Sequence, residues 1–150
     1  MSASSFVYHR TSSAIRVMTD LRFSYAVVSS GLILVGFFWN NLQGFSLQYT
    51  MLIFSVFCAN VFMFVVNDFY DAFDDAKDLA KRERNVFCSL DSENLGKIVL
   101  GTSLVLSLVL SLGVSFPIFG IVVLFDLLAF FYSAPPFKLR NRAYWDWIFV

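Results

Sequence analysis

Four aspartates follow directly on a long apolar segment in the first half of the chain. Residues 51–66 carry no charged side chain, and residues 67–75 then read NDFYDAFDD. Carboxylates this close together repel one another, so they need water or a cation beside them to stay ionised. We call residues 67–75 the acidic segment and take it as the first candidate site for chemistry.

Helical spacing would bring three of these carboxylates to one side. If the apolar helix continues into the acidic segment, Asp68, Asp71 and Asp75 lie within about 60° of one another around its axis. Asn67 and, one level deeper, Asn60 lie close to the same face. Mg²⁺ prefers such oxygen ligands and usually takes one or two protein carboxylates, with water and phosphate oxygens completing its shell. The spacing therefore predicts a Mg²⁺ site in the acidic segment.

A basic cluster comes immediately after the acidic segment. It consists of Lys77, Lys81, Arg82 and Arg84. Carboxylates for a metal ion beside Lys and Arg for an oxyanion are the arrangement expected for a bound diphosphate. Residues 74–78 also read DDAKD, which fits the D-D-x-x-D pattern of soluble polyprenyl synthases, although the hydropathy argues against that soluble fold. The competing interpretation is a solvated charged loop, which the helical spacing disfavours.

The second candidate segment is residues 132–140, which read YSAPPFKLR. Pro135 and Pro136 cannot continue a helix, so they should end the apolar helix that precedes them. Tyr132 then lies at the mouth of that helix, and Lys138 and Arg140 are expected to bind phosphate or lipid headgroups. An interfacial tyrosine with ordinary flanking charges is an equally good interpretation of this segment.

Two further polar features lie inside apolar segments. Serine recurs every fourth residue from Ser103 to Ser115, which predicts close helix packing along one face. Asp126 lies within an apolar segment, where an acid is a candidate functional residue. Pairing of Asp126 with a polar group on a neighbouring helix is the alternative, and the sequence does not separate the two.

The composition assigns the chain to membrane proteins. Of its 150 residues, 58% are hydrophobic, 19% aromatic and only 15% charged, whereas soluble domains are about 45–50% apolar and about 25% charged. The net charge of zero offers no basic field for nucleic acid, and two cysteines with one histidine make neither a zinc site nor a disulfide scaffold. Residues 1–20 lack the apolar stretch of a signal peptide, and a short organelle transit peptide stays an alternative.

The hydropathy pattern predicts an all-α, multi-pass transmembrane bundle. Each apolar segment approaches the ~20 residues that cross a bilayer as a helix. Four complete spans are expected, and a fifth begins at Trp145 and stops at Val150. We therefore expect residues 1–150 to be the N-terminal part of one longer membrane domain. The four spans cover residues 21–39, 49–66, 98–115 and 117–133.

The basic residues predict the topology. All eleven lysines and arginines fall in the N-terminus, in residues 67–97 or after the fourth span. The positive-inside rule places these three segments on the cytoplasmic side. We expect an integral protein of the cell membrane in which all three segments lie at one face. The acidic segment and residues 132–140 are thus expected at the same end of the bundle.

Both candidate segments match motifs of one family. The acidic segment fits N-D-x-x-D-x-x-x-D with Asn67, Asp68, Asp71 and Asp75, and YSAPPFKLR is similar to Y-S-x-P-P-x-[KR]-x-[KR]. On these residues the chain resembles the UbiA superfamily of membrane prenyltransferases. It is closest to the branch that holds chlorophyll synthases, archaeal lipid prenyltransferases and lycopene elongases, which residues 22–25 also resemble more loosely.

The resemblance implies a fold and an activity. Family members have nine transmembrane helices around a central cavity, and the chain corresponds to about the first half. Their second acidic motif, D-x-x-x-D, follows the sixth helix, so the resemblance implies that this half alone is inactive. The implied reaction transfers a polyprenyl group from an allylic polyprenyl diphosphate to a lipophilic acceptor within the membrane. The alternative is a non-catalytic membrane module, or an inactive fragment, that binds a divalent cation or a partner; a transporter fragment is a weaker one.

The resemblance also implies residue roles. Mg²⁺ would be held by Asp68, Asp71 and Asp75, and the catalytic residues would be Asp71, Asp68 and Tyr132. The aromatic rings of Phe64, Phe130 and Phe131 would shield the prenyl cation. The diphosphate would be bound by Asn67, Lys77, Arg82, Arg84, Lys138 and Arg140.

Overall fold

The computed structural model of the protein describes residues 23–39, 46–82, 85–88 and 90–139. Within these residues the chain is helical and contains no strand, which confirms the all-α prediction. The fifth apolar segment, from Trp145, lies outside the described residues. The helices are α1 Phe23–Trp39, α2 Leu47–Asp75, α3 Leu79–Arg82, a 3-10 helix Val86–Cys88, α4 Leu90–Val114 and α5 Phe116–Ser133.

Three helices of the described part are long and apolar enough to cross a membrane, namely α2, α4 and α5. The apolar helix α1 is shorter, with 17 residues. Helix α2 has 29 residues, about 44 Å at about 1.5 Å per residue, whereas the hydrocarbon core of a bilayer is only about 30 Å thick. The chain is therefore a bundle of membrane-spanning helices, and one end of α2 has to extend past the hydrocarbon.

Helix α2 is the centre of the bundle. Val61 and Val65 pack with Ala26 of α1, while Phe62 and Val66 pack with Ala129 of α5. These contacts continue toward higher numbers on both α2 and α5, since Asn67 meets Ser133. Helices α2 and α5 therefore run parallel, and their C-terminal ends lie at the same end of the bundle.

Helix α4 runs antiparallel to α2. The Ser55 hydroxyl donates to the backbone carbonyl of Ser107 (2.8 Å), and Leu100, earlier in α4, packs near Val66, later in α2. The predicted serine face is buried, with Ser103, Ser107 and Ser111 all inside the bundle. Ser115 has another role, because it is the N-cap of α5 and accepts from the Ile118 amide at 3.4 Å.

Two helices extend further than the hydropathy predicted. Helix α2 runs to Asp75 instead of about residue 66, and α4 begins at Leu90 instead of about residue 98. The added turns are polar, and in α4 the pair Lys97–Glu93 (2.6 Å) supports the extension. Hydropathy detects only the apolar part of such a helix, which explains the misplaced boundaries.

Glycine substitutions in α4 test the packing of the polar turns on α2. A Cβ on Gly96 would lie 2.7 Å from two ring carbons of Phe87, and that ring stacks edge-on against Phe69 at 5.2 Å. Gly96→Ala should displace the Phe87 ring and lower the free energy of unfolding by about 1–3 kcal/mol, the usual cost of overpacking. Denaturation of the protein in detergent measures the effect.

Gly101→Ala is the matched control, because a Cβ there meets no atom within 4 Å. This substitution in a helix interior should stabilise the protein by about 0.5–1 kcal/mol. Equal effects of Gly96→Ala and Gly101→Ala would contradict the packing described here.

Candidate functional site

The acidic segment forms the last turns of α2. The helix passes through it without a break and ends at Asp75. Aromatic residues within the segment hold these turns in place, since Tyr70 packs edge-on against Phe130 of α5 (5.9 Å) and Phe69 against Phe87 (5.2 Å). The alternative of a solvated charged loop is therefore wrong for residues 67–75.

The carboxylates differ in exposure according to the side of the helix on which they lie, as the helical spacing predicted. Asp68 is 7% exposed, and Asp71 and Asp75 are partly buried, whereas Asp74 and Asp78 are exposed. The Asn67 amide donates to Asp71 Oδ2 at 3.1 Å. The three carboxylates of the predicted metal site thus turn toward the bundle.

These three carboxylates follow one another along the axis of the helix. At about 1.5 Å of rise per residue, Asp71 lies about 4.5 Å along the axis from Asp68 and about 6 Å from Asp75, while Asp68 and Asp75 are about 10.5 Å apart. Accordingly, nowhere in the described part of the chain do three acidic, histidine or cysteine residues form a group that could hold one ion. The oxygens do suit Mg²⁺, which needs only one or two protein carboxylates. Asp71 is the residue that either pair has in common.

The second candidate segment meets the first, although they are 66 residues apart. Ser133 Oγ donates to Asn67 Oδ1 at 3.4 Å, and Lys138 Nζ lies 3.6 Å from Asp74 Oδ2. A tight turn brings Lys138 back, because its amide donates to the Ala134 carbonyl (2.9 Å) and its φ is 36°, in the left-handed region. The two segments therefore form one site at the common end of α2 and α5.

A cavity of about 470 Å³ opens between α2 and α5 next to these contacts. Its polar lining residues have the highest numbers on the two parallel helices and so lie at the acidic end, and the remaining wall is apolar. Tyr132 and Phe64 both line this cavity. The full lining is Met63, Phe64, Asn67, Phe125, Leu128, Ala129, Tyr132 and Ser133.

Of the five basic residues predicted to bind phosphate, the structure describes Lys77, Arg82 and Lys138. Lys77 lies 3.0 Å from Asp74 Oδ1 and over the ring of Phe73, 4.4 Å from its centroid. Arg82 is exposed at the end of α3. Arg84 and Arg140 lie outside the described residues. Lys77 and Lys138 thus converge on Asp74, a residue to which the motif assigned no role.

Two further polar residues singled out in the sequence, Asn60 and Asp126, bond to groups outside the acidic segment. Asn60 donates to the carbonyl of Val56 in its own helix (2.8 Å). Asp126 is 4% exposed and accepts from the Ser107 hydroxyl at 2.8 Å. Pairing with a neighbouring helix is thus the alternative that the structure shows for Asp126.

Sequence reasoning missed Asn85. It follows the basic cluster, carries no motif, and is 3% exposed. Its amide donates to Asp75 Oδ2 at 2.9 Å. An asparagine after a run of charges gives no signal in a sequence, because its role depends on a tertiary contact.

Comparison with known proteins identifies no relative of the chain. No protein-family model, no curated protein and no solved structure matches it. The function therefore has to be argued from the contacts of the site and from the motifs themselves.

The reactivity of Cys88 tests the electrostatics of the site. Its thiol donates to the Ala72 carbonyl (3.2 Å). Burial raises the pKa of Cys88, and the charges of Asp75 and Asp68 raise it further, against an opposing effect of Arg82. Since the thiolate is the reactive form, a Cys58→Ser variant should be alkylated several-fold more slowly at pH 8 than a free thiol, with the rate rising as pH increases.

The comparison thiol for this measurement is the same variant unfolded in detergent. Adding Asp75→Asn should speed alkylation of the folded protein at pH 8, because one of the negative charges is removed. A folded-state rate equal to the unfolded one would contradict the description of this environment.

Proposed function

We propose that this protein is a membrane prenyltransferase of the UbiA type, which transfers a polyprenyl group from an allylic polyprenyl diphosphate to a lipophilic acceptor. One observation carries the proposal: two segments that match motifs of one family, 66 residues apart, meet at one end of the bundle. They meet where acidic helix turns adjoin a cavity with an apolar wall. A diphosphate with a hydrocarbon tail has the same division into a charged head and an apolar chain.

The cavity suits the tail of such a substrate. Its volume of about 470 Å³ lies within the roughly 300–1,000 Å³ of ordinary ligand sites. Phe64 lines it, so its ring is the best placed of the three predicted aromatics to stabilise an allylic cation. Phe130 and Phe131 are not among the residues that line this cavity, and they pack against Tyr70 and Phe137.

The carboxylates of Asp68, Asp71 and Asp75 supply the negative charge that would bind a cation. Asp71 together with Asp68 or Asp75 would hold Mg²⁺, which when bound neutralises the negative charge that develops on the departing diphosphate. Asn67 orients Asp71 through its 3.1 Å hydrogen bond. Tyr132 places its phenol in the cavity wall near Asn67, where it can contact the substrate at the junction of head and tail.

Lys77 and Lys138 would bind the phosphate oxygens. Both are held by the exposed carboxylate of Asp74. Exposed ion pairs contribute little to stability, so a multiply charged diphosphate can take these two lysines over at small cost. By the positive-inside rule, this end of the bundle faces the cytoplasm in the cell membrane.

Asp71→Asn tests the proposal. The full-length protein should consume an allylic polyprenyl diphosphate only with Mg²⁺, and Asp71→Asn should reduce turnover at least about 100-fold, since electrostatic stabilisation of the leaving group is lost. The measurement is product formation at saturating Mg²⁺, with folding checked by circular dichroism.

Asp78→Asn is the matched control, with the same change of charge. Asp78 is exposed and caps α3 through its side chain, which accepts from the Ala80 amide at 2.9 Å, and asparagine caps a helix equally well. It should retain full activity. Undiminished turnover in Asp71→Asn would refute the proposed function, and Mn²⁺ binding without any turnover would favour the non-catalytic module.

Lys138→Met tests the role of the second segment. Removal of a charged hydrogen bond to phosphate, worth about 1.5–3 kcal/mol, should raise the KM for the diphosphate at least about tenfold. Lys97→Met is the control, because Lys97 pairs with Glu93 at the start of α4. An unchanged KM in Lys138→Met would remove Lys138 from the site.

A further inference from the structure

Asn85 uses both its side-chain amide and its backbone in hydrogen bonds at the acidic end of α2. Its side-chain Nδ2 donates to the Asp68 carbonyl (2.7 Å) and to Asp75 Oδ2 (2.9 Å), and its Oδ1 accepts from the Phe87 amide (2.9 Å). Its backbone adds a bond to the Lys81 carbonyl and one from the Cys88 amide, both of 3.0 Å.

The hydrogen-bond network fixes which way the amide points. Nδ2 lies between two oxygens that can only accept, and Oδ1 faces a backbone N–H. The opposite orientation would set an oxygen between two oxygens and a nitrogen against an N–H. Both amide hydrogens of Asn85 are thus used, one on the backbone carbonyl of Asp68 and one on the carboxylate of Asp75.

Asp75 needs such a partner because of its position. It is the last residue of α2, where the helix dipole disfavours a negative charge. The amide of Asn85 supplies a neutral donor to one carboxylate oxygen. A neutral donor compensates the dipole without cancelling the charge that a cation would bind.

We propose that Asn85 is a positioning residue: it holds Asp75 Oδ2 so that Oδ1 is presented to a divalent cation, and it holds the segment between Asp75 and Asn85 against α2. This inference rests on the proposed function. Serine cannot replace it because it has one donor, and aspartate cannot because it has none and adds a charge beside Asp75. The bond between Asn85 and Asp75 closes residues 75–85, the segment that carries Lys77 and Lys81.

The experiment measures Mn²⁺ binding by the purified full-length protein in zwitterionic lipid nanodiscs, using the electron paramagnetic resonance signal of free Mn²⁺. Asn85→Ala should weaken Mn²⁺ affinity at least about tenfold, the usual effect of losing a residue that orients a metal ligand. Asn94→Ala, an exposed asparagine of α4, is the matched control and should bind as the wild type does.

A double-mutant cycle separates positioning from general structural support. In an Asp75→Asn background, Asn85→Ala should weaken Mn²⁺ affinity less than about twofold, because the residue through which it acts is gone. The loss of thermal stability from Asn85→Ala should be similar in both backgrounds. Asn85→Ser, which keeps one donor, replaces Asn85→Ala if that variant does not fold.

Each outcome decides something. The positioning role is overturned if Asn85→Ala leaves the Mn²⁺ affinity unchanged, or if it lowers the affinity equally in the two backgrounds. The proposed function stays in place in that case, provided that Mn²⁺ binding still depends on Asp71. Absence of Mn²⁺ binding by the wild type at millimolar concentration overturns both. A tenfold loss confined to the background that retains Asp75 supports the inference.

Discussion

One constraint governs this protein: a single helix has to be apolar where lipid surrounds the bundle and carry several negative charges where it leaves. Helix α2 meets this by length, since its 29 residues exceed by about 14 Å the roughly 30 Å of hydrocarbon that a helix must cross. The surplus turns are the acidic segment. The 3-10 helix and the end of α5, which pack against those turns, supply aromatic contacts and hydrogen-bond donors.

Away from the acidic end, helix α4 packs closely against α2. Helix α4 offers buried serines along the contact, and Ser55 of α2 donates to the Ser107 carbonyl (2.8 Å). Small side chains let the helix backbones come near, which is the usual means of association in lipid. Helix α5 packs less closely along part of its length, and the cavity between α2 and α5 lies there. Tight packing on one side of α2 and a gap on the other place an apolar space beside the carboxylates.

The sequence predicted much of this and missed the rest for definable reasons. Periodicity identified the carboxylates on one side of α2, because the angle between residues depends only on helical geometry. It did not show that Asp68 and Asp75 are about 10.5 Å apart along the axis, which is why the three do not form one group. Hydropathy gave the apolar centres of the helices but not their polar ends at Asp75 and Leu90.

The contact of Asn85 with Asp75 and that of Asp74 with Lys138 were beyond prediction from the chain alone. Each depends on a segment that folds back toward the end of α2. Lys138 was assigned to phosphate by its motif, but its resting partner, Asp74 at 3.6 Å, follows only from the left-handed turn at position 138. Tertiary contacts of this kind are set by chain reversal, and local patterns carry no information about them.

The acidic residues of α2 and α5 show how the depth of a residue decides its partner. Asp126 lies seven residues before Ser133 on α5, about 10.5 Å deeper, and its bonding partner is a serine hydroxyl of a neighbouring helix. Asp71 and Asp75, at the helix end, accept from side-chain amides, while lysines lie on the exposed side with Asp74. A hydroxyl supports a carboxyl group deep in a bundle without bringing another charge into it. Amides at the helix end orient carboxylates and leave their charge intact, which is what a site for an exchangeable cation requires.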